Sequence, residues 1–174
     1  MDAIKSILKP GDVVLIEGQS RVSSAIQFIT NSNWSHAAIF IGKTDTCNHC
    51  LIEVKAVDGC RYTDIDVYMH HNLRICRPVF LNNRKRTVLI KYLIKKIGSK
   101  YDLKNIFDLI RFAYPNPPVP KKYRRNLIGI GAGDPTKAIC SSLIAEAFRE
   151  IGHPILPFKD EFKSIVLRHP TYCL

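Results

Sequence analysis

Three residues of the types used in covalent catalysis stand far apart in this sequence: His36, Glu53 and Cys140. A thiol can attack a carbonyl carbon when an imidazole takes its proton and a polar group fixes the orientation of that imidazole. Residues 140–152 have helical periodicity, which predicts a helix that begins at or just after Cys140. The dipole and the unpaired N–H groups at such an end stabilise a thiolate. The sequence therefore offers a nucleophile, a base and an orienting carboxylate.

Each of these residues also has a structural interpretation. Cys140 belongs to an apolar stripe with Leu143, Ile144, Ala147, Phe148 and Ile151, and unpaired cysteines are often simply buried. A histidine at the start of a core strand is often only a hydrogen-bonded structural residue. Glu53, within the run Leu-Ile-Glu-Val, is costly to bury unless it is paired. A hairpin of the two strands brings residues 36 and 53 together on one face, and we expect the Cys140 helix to pack on that face.

The elements that would position these residues follow from the hydrophobic pattern. Short apolar runs bounded by turns predict strands at residues 12–17, 35–42, 51–55 and 73–78, with a further extended piece at 61–67. Helical spacing predicts helices at residues 22–30, 85–98 and 103–112, besides a short N-terminal helix and the Cys140 helix. The sequence predicts an α+β fold: a small, mostly antiparallel sheet or half-barrel with helices packed on one side.

Length and charge limit the remaining possibilities. The 174 residues suit one domain spanning 1–174, with a basic, proline-rich loop at about 114–135. The formal net charge of +11 favours anionic partners, either nucleic acid or an anionic membrane surface, and no obligate protein partner is evident. The N-terminus lacks the pattern of a secretory signal, so we expect a cytosolic location, in the cell of origin or in a host. In that setting the six cysteines are expected to be thiols.

One group of residues has the composition of a metal site. Asp45, Cys47, His49 and Cys50 are close in sequence, and Cys60 follows ten residues later. The spacing is poor for a zinc site because no second Cys-x-x-Cys follows, and the alternative is a polar hairpin tip. We therefore predict no metal and no cofactor.

The order of several short motifs resembles a known family. These motifs are Gly11-Asp-Val-Val-Leu, Trp34-Ser-His-Ala-Ala-Ile, Ile52-Glu, Gly98-x-x-Tyr-Asp and Cys140-Ser-Ser-Leu-Ile. Together they are similar to the circularly permuted NlpC-type papain-like hydrolases of the YiiX/YaeF type, over roughly residues 8 to 153. The resemblance implies that Cys140 is the nucleophile, that His36 is the general base and that Glu53 orients His36.

The resemblance also implies a substrate cleft. Tyr101 would line it, the backbone N–H of Cys140 would contribute to an oxyanion hole, and a second donor would come from Gln19 or Ser20. Trp34, two residues before the base, completes the expected substrate-binding set.

The expected activity is that of a cysteine hydrolase of the amidase or peptidase type, acting through an acyl-thioester on Cys140. A peptide, an N-acyl group or a lipid is the expected substrate class. Two alternatives stay open: a lipid-directed thiol acyltransferase or esterase, and a non-catalytic basic module that binds nucleic acid or an anionic membrane.

Overall fold

The computed structural model describes residues 2–55, 58–79, 81–99 and 139–155 of the chain. Within these ranges the elements are α1 (Asp2–Ile7), β1 (Val13–Ile16), α2 (Arg21–Thr30), β2 (His36–Gly42), β3 (Cys50–Lys55), β4 (Gly59–Asp64), a 3-10 helix (Ile65–Tyr68), β5 (Leu73–Cys76), α3 (Asn83–Lys95) and α4 (Ile139–Glu150). The predicted helix at 103–112 and the proline-rich loop at 114–135 lie outside the described residues.

The five strands form one antiparallel sheet in the order β4-β3-β2-β1-β5. Consecutive strands from β1 to β4 are neighbours in the sheet. The last strand does not continue this order, since β5 returns to the opposite edge and pairs with β1. The predicted α+β class, with its mostly antiparallel sheet, is confirmed.

Both faces of the sheet are covered. Because side chains alternate along a strand, Ile39 and Ile52 join one apolar cluster while Ala38 and Leu51 join another. Helices α3 and α4 pack on the first cluster, with Leu89, Leu93 and Phe148 almost fully buried. The second cluster is closed by side chains from α1 and the 3-10 helix, namely Ile4, Ile65 and Tyr68. The prediction of helices on one side only is therefore wrong.

The tip of the β2–β3 hairpin carries a covalent link. Cys47 and Cys50 form a disulfide across three residues of separation, with their Cα atoms 5.3 Å apart. The expectation of thiols throughout is wrong for this pair, since the polar loop brings the two cysteines within bonding reach. Cys60 and Cys76 carry thiols.

No helix in the described ranges is long and apolar enough to cross a bilayer.

Candidate active site

Glu53 is the centre of a dense group of hydrogen bonds. Its side chain is inaccessible to solvent, and its Oε2 atom lies 2.7 Å from Nε2 of His36. The hydroxyl of Tyr68 donates to the same oxygen. The other oxygen, Oε1, accepts from the Thr63 hydroxyl at 2.6 Å and from Nε of Arg61 at 3.1 Å. The carboxylate is thus paired on both oxygens, which removes most of the cost of its burial.

Strand register explains how these donors meet. Arg61 is directly opposite Glu53 in the β3–β4 pair, and Thr63 follows two residues later on the same face. Between β2 and β3, Ile39 faces Ile52, so His36 is a diagonal neighbour of Glu53 rather than its direct partner. The two side chains still share a face because the offset is an even number of residues.

These contacts determine the charge of Glu53. Burial acts to raise the pKa of Glu53, but hydrogen bonds from His36, Thr63 and Tyr68 outweigh it and lower the pKa from 4.5 to about 2. The group is therefore a carboxylate at neutral pH and can only accept hydrogen bonds. It follows that Nε2 of His36 carries the proton in this pair. Nδ1 is then the ring nitrogen that can accept a proton.

Helix α4 packs on the face of the sheet opposite to Glu53. Ile52 and Val54 belong to the cluster that α4 covers, whereas Leu51 belongs to the other, so Glu53 points away from the helix. The expectation that the Cys140 helix packs on the face of His36 and Glu53 is wrong. The reason is that successive residues of a strand point to opposite faces, so a shift of one residue along the strand moves a side chain to the other face of the sheet.

Cys140 is the second residue of α4, which agrees with the predicted start of the helix to within one residue. The side chain of Cys140 lies outside the described part of the structure, as does Tyr101.

The three remaining expected site residues lie in the segment that joins β1 to β2. Gln19 and Ser20 are exposed and Trp34 is half-buried. The Ser20 hydroxyl accepts a hydrogen bond from the backbone N–H of Ser23 at 3.0 Å, so its side chain caps α2. This segment begins and ends at the end of the sheet where His36 starts β2, because Ile16 pairs with His36. Gln19, Ser20 and Trp34 are therefore near that end of the sheet.

Sequence reasoning missed the residues that surround Glu53. Arg61 and Thr63 alternate on a strand, and Tyr68 follows within one turn of helix. The alternation of Arg61 and Thr63 was a usable signal, because a buried carboxylate requires donors on the facing strand. No comparable sequence signal pointed to Tyr68, since its contact with Glu53 depends on the path of the 3-10 helix over the sheet.

Within the described ranges, no three His, Cys, Asp or Glu side chains come together in a way that could hold a metal ion. The sulfur atoms of Cys47 and Cys50 are joined to each other, so this form of the hairpin tip does not offer them as thiolate ligands.

Comparison with known proteins defines the class. Residues 7–114 match the model of a family described as permuted papain-like amidase enzymes, YaeF/YiiX, C92 family. The chain belongs to this family, as its resemblance implied. The matched span contains His36 and Glu53 and ends before Cys140.

Two individual relatives accompany the family match. The chain is 24% identical over 164 residues to the probable lipoprotein peptidase YaeF of Escherichia coli K12, covering 85% of this chain and 58% of that protein. Its fold is similar to the crystal structure of metalloprotein yiiX from Escherichia coli O157:H7, with a TM-score of 0.56 and 17% identity over 82% of this chain and 66% of that one. The chain thus spans less than two thirds of each relative, and the second comparison supports the permuted papain-like fold alone.

Proposed function

We propose that this chain is a cysteine amidase or peptidase that acts through an acyl-thioester on Cys140. His36 is the general base and Glu53 orients its ring. The observation that carries the proposal is the 2.7 Å contact between Nε2 of His36 and Oε2 of the buried Glu53, in a member of a papain-like amidase family. A fully buried carboxylate bonded to a partly exposed imidazole is the arrangement that a thiol hydrolase needs beside its nucleophile.

The reaction follows from this assignment. Nδ1 of His36 takes the proton of the Cys140 thiol, because Nε2 is bonded to Glu53. The thiolate attacks the carbonyl carbon, the C–N bond breaks, and the imidazolium returns its proton to the leaving amine. Water then attacks the thioester while Nδ1 accepts a proton from it, which releases the acid and regenerates the thiol.

Glu53 holds the ring in one tautomer throughout. Because its pKa is about 2, the carboxylate stays ionised at neutral pH and stabilises the imidazolium without taking its proton. Tyr68 and Thr63 keep both carboxylate oxygens in place during the cycle. We assign these two residues as positioning residues that act through Glu53.

The packing of α4 restricts where the thiol and the imidazole meet. The sheet separates the face covered by α4 from the face of Glu53. His36 is the first residue of β2, so we place the meeting point beyond the end of the sheet, beside the segment that contains Gln19, Ser20 and Trp34. Substrate would bind there as well, with the N-terminus of α4 supplying an oxyanion donor.

The proposal is tested by labelling with a thiol-reactive acyl probe. Cys140→Ala should abolish the acyl-enzyme, and His36→Ala should slow its formation by about 100-fold to 10,000-fold. Cys76→Ser is the matched control, because Cys76 carries a thiol on β5 and its removal should leave labelling unchanged. Labelling of Cys140→Ala at the wild-type level would show that the nucleophile is another residue.

Acyl transfer to a lipid is the second candidate, because α3 contains five basic residues and no acidic residue, a charge balance that favours contact with anionic lipid. The same thioester can be resolved by an amine or alcohol of a lipid instead of water. Mass spectrometry of the products formed with and without such acceptors separates hydrolysis from transfer.

A further inference from the structure

Helix α3 has one face fixed against the body of the protein. Leu89 and Leu93 are fully buried in the cluster shared with α4. The Tyr92 hydroxyl donates to Oε1 of Glu146 on α4 at 2.6 Å, and Nζ of Lys96 reaches the same atom at 3.1 Å. These contacts determine which side of α3 faces outward.

The outward face combines cations with aliphatic side chains. The helix contains five basic residues and no acidic residue in the sequence NRKRTVLIKYLIK. Val88 and Ile94 are 45% and 43% exposed. They alternate along the outer surface with three exposed cations, which are Arg84, Lys91 and Lys95. We call these five residues the outer α3 face.

The three cations of this face differ from the others nearby. Lys85 donates to the carbonyl of Gly152, and Arg86 donates to Asn83 and to the carbonyl of Leu81. Among the residues that the structure describes, none pairs with the charged group of Arg84, Lys91 or Lys95. No ion pair among these residues reduces the positive field of the three groups, and that field attracts anions.

We propose that the outer α3 face binds the surface of an anionic phospholipid bilayer. Its three cations contact headgroup phosphates, and Val88 and Ile94 enter the boundary between headgroups and acyl chains. The aliphatic side chains favour lipid over nucleic acid, because a nucleic-acid surface uses aromatic stacking and hydrogen-bonding side chains between its cations. This surface is separate from the site around Glu53, so the proposal does not depend on catalysis.

Vesicle flotation tests the role of the cations. The probes are phosphatidylcholine vesicles with and without phosphatidylserine. The variant Arg84→Glu/Lys91→Glu/Lys95→Glu is expected to lose about 100-fold in partition to the anionic vesicles, since each basic residue near such a surface contributes about fivefold. Wild-type protein should bind the anionic vesicles and not the neutral ones.

A second triple variant controls for net charge. Arg21→Glu/Lys43→Glu/Arg74→Glu changes the charge equally, at exposed cations in α2, the hairpin loop and β5. It should keep most of the binding. Equal loss in the two triple variants, or wild-type binding by the α3 triple, would overturn the proposal. Circular dichroism and thermal melting confirm that each variant is folded.

The aliphatic residues separate the two classes of partner. Val88→Ser/Ile94→Ser keeps every charge and should weaken vesicle binding about tenfold. Val67→Ser, at a 56% exposed valine of the 3-10 helix, should have no effect. Binding of a single-stranded RNA should not respond to the two aliphatic changes. If wild-type protein binds that RNA but not the anionic vesicles, the face is a nucleic-acid surface and the proposal is wrong.

Discussion

Glu53 shows how one charged residue can be accommodated in a core strand. Its neighbours Leu51 and Val54 are apolar and buried, yet its two oxygens accept from His36, Tyr68, Thr63 and Arg61. Breaking such an arrangement by removing one partner leaves a buried group unsatisfied, which costs more than the bond itself contributes. Stability and the orientation of His36 therefore depend on the same atoms.

The ionisation of Glu53 should make stability depend on pH. Its pKa is lowered from 4.5 to about 2, so the stabilisation is complete above pH 4.5 and is lost as pH falls toward 2. A shift of this size corresponds to roughly 3 kcal/mol in the free energy of unfolding. We expect Glu53→Gln to be destabilised relative to wild type near neutral pH, with the difference shrinking through this acid window. Urea denaturation measured across the window checks this.

Asp45→Asn is the control for this experiment, since Asp45 is an exposed carboxylate in the hairpin loop. Its difference from wild type should be small at every pH. A Glu53→Gln difference that stays constant down to about pH 2 would contradict the role of the ionised carboxylate.

At the scale of elements, α3 and α4 are joined by a polar clamp as well as by their shared core. Tyr92 and Lys96 on α3 both donate to Glu146 on α4, and Nζ of Lys96 lies 5.1 Å from the centre of the Tyr92 ring. The clamp acts on the helix whose N-terminal end carries Cys140. The position of that end along the sheet is thus controlled by contacts about two turns away.

Tyr92→Phe tests this clamp. It removes one hydroxyl, keeps the ring over which Lys96 lies, and should lower the free energy of unfolding by about 1 kcal/mol. Tyr62→Phe on β4 is the matched control, because the Tyr62 hydroxyl has no hydrogen-bond partner among the residues described, and it should cost less. Chemical denaturation of the two variants makes the comparison. An equal cost in both variants would mean that the clamp contributes nothing specific.

At the scale of the whole molecule, a central sheet with a core on each face holds the described part of the chain together. The disulfide joins the hairpin loop to this arrangement, since Cys47 packs against the core cluster that α4 covers and Cys50, the first residue of β3, is fully buried in it. Folding is expected to survive its reduction, because both faces of the sheet keep their other buried apolar side chains.

Reduction should lower the free energy of unfolding by about 2 kcal/mol, because a link across so few residues removes little entropy from the unfolded chain. Thermal melting with and without a reductant measures this. Cys47→Ser should show no response to the reductant, whereas Cys76→Ser should respond as wild type does. Loss of the folded state on reduction would mean that the protein requires an oxidising compartment.

The sequence predicted local structure well and the arrangement of elements less well. Apolar runs located β1, β2, β3 and β5, and helical spacing located α2 and α3, because both patterns depend only on neighbouring residues. The place of β5 beside β1 depends on a non-local pairing that no short pattern records. The family match could be expected from motif order, and the contact between His36 and Glu53 from the hairpin.

Two features of the site were beyond sequence reasoning for a different reason. Whether α4 packs on the face of Glu53 or on the opposite face depends on a shift of one residue in β2 and β3. The hairpin loop seen in the sequence does not determine that shift. Tyr68 reaches Glu53 from outside the hairpin, through the turn after β4. Both features depend on the path of the chain in three dimensions, and alternative paths would have nearly the same hydrophobic pattern in the sequence.

The segment between β1 and β2 has a consequence for how such enzymes could diversify. Its two ends are tied together, because the backbone N–H of Ser35 donates to the Ile16 carbonyl at 3.2 Å and that of Gly18 donates to the Ser35 hydroxyl at 3.0 Å. Helix α2 between these ties has its own caps at Ser20 and Asn31. The segment could therefore be exchanged as a unit: a different helix could replace α2 between residues 18 and 35 while His36 and Glu53 keep their positions. Selectivity could then evolve independently of the proposed catalytic pair, His36 and Glu53.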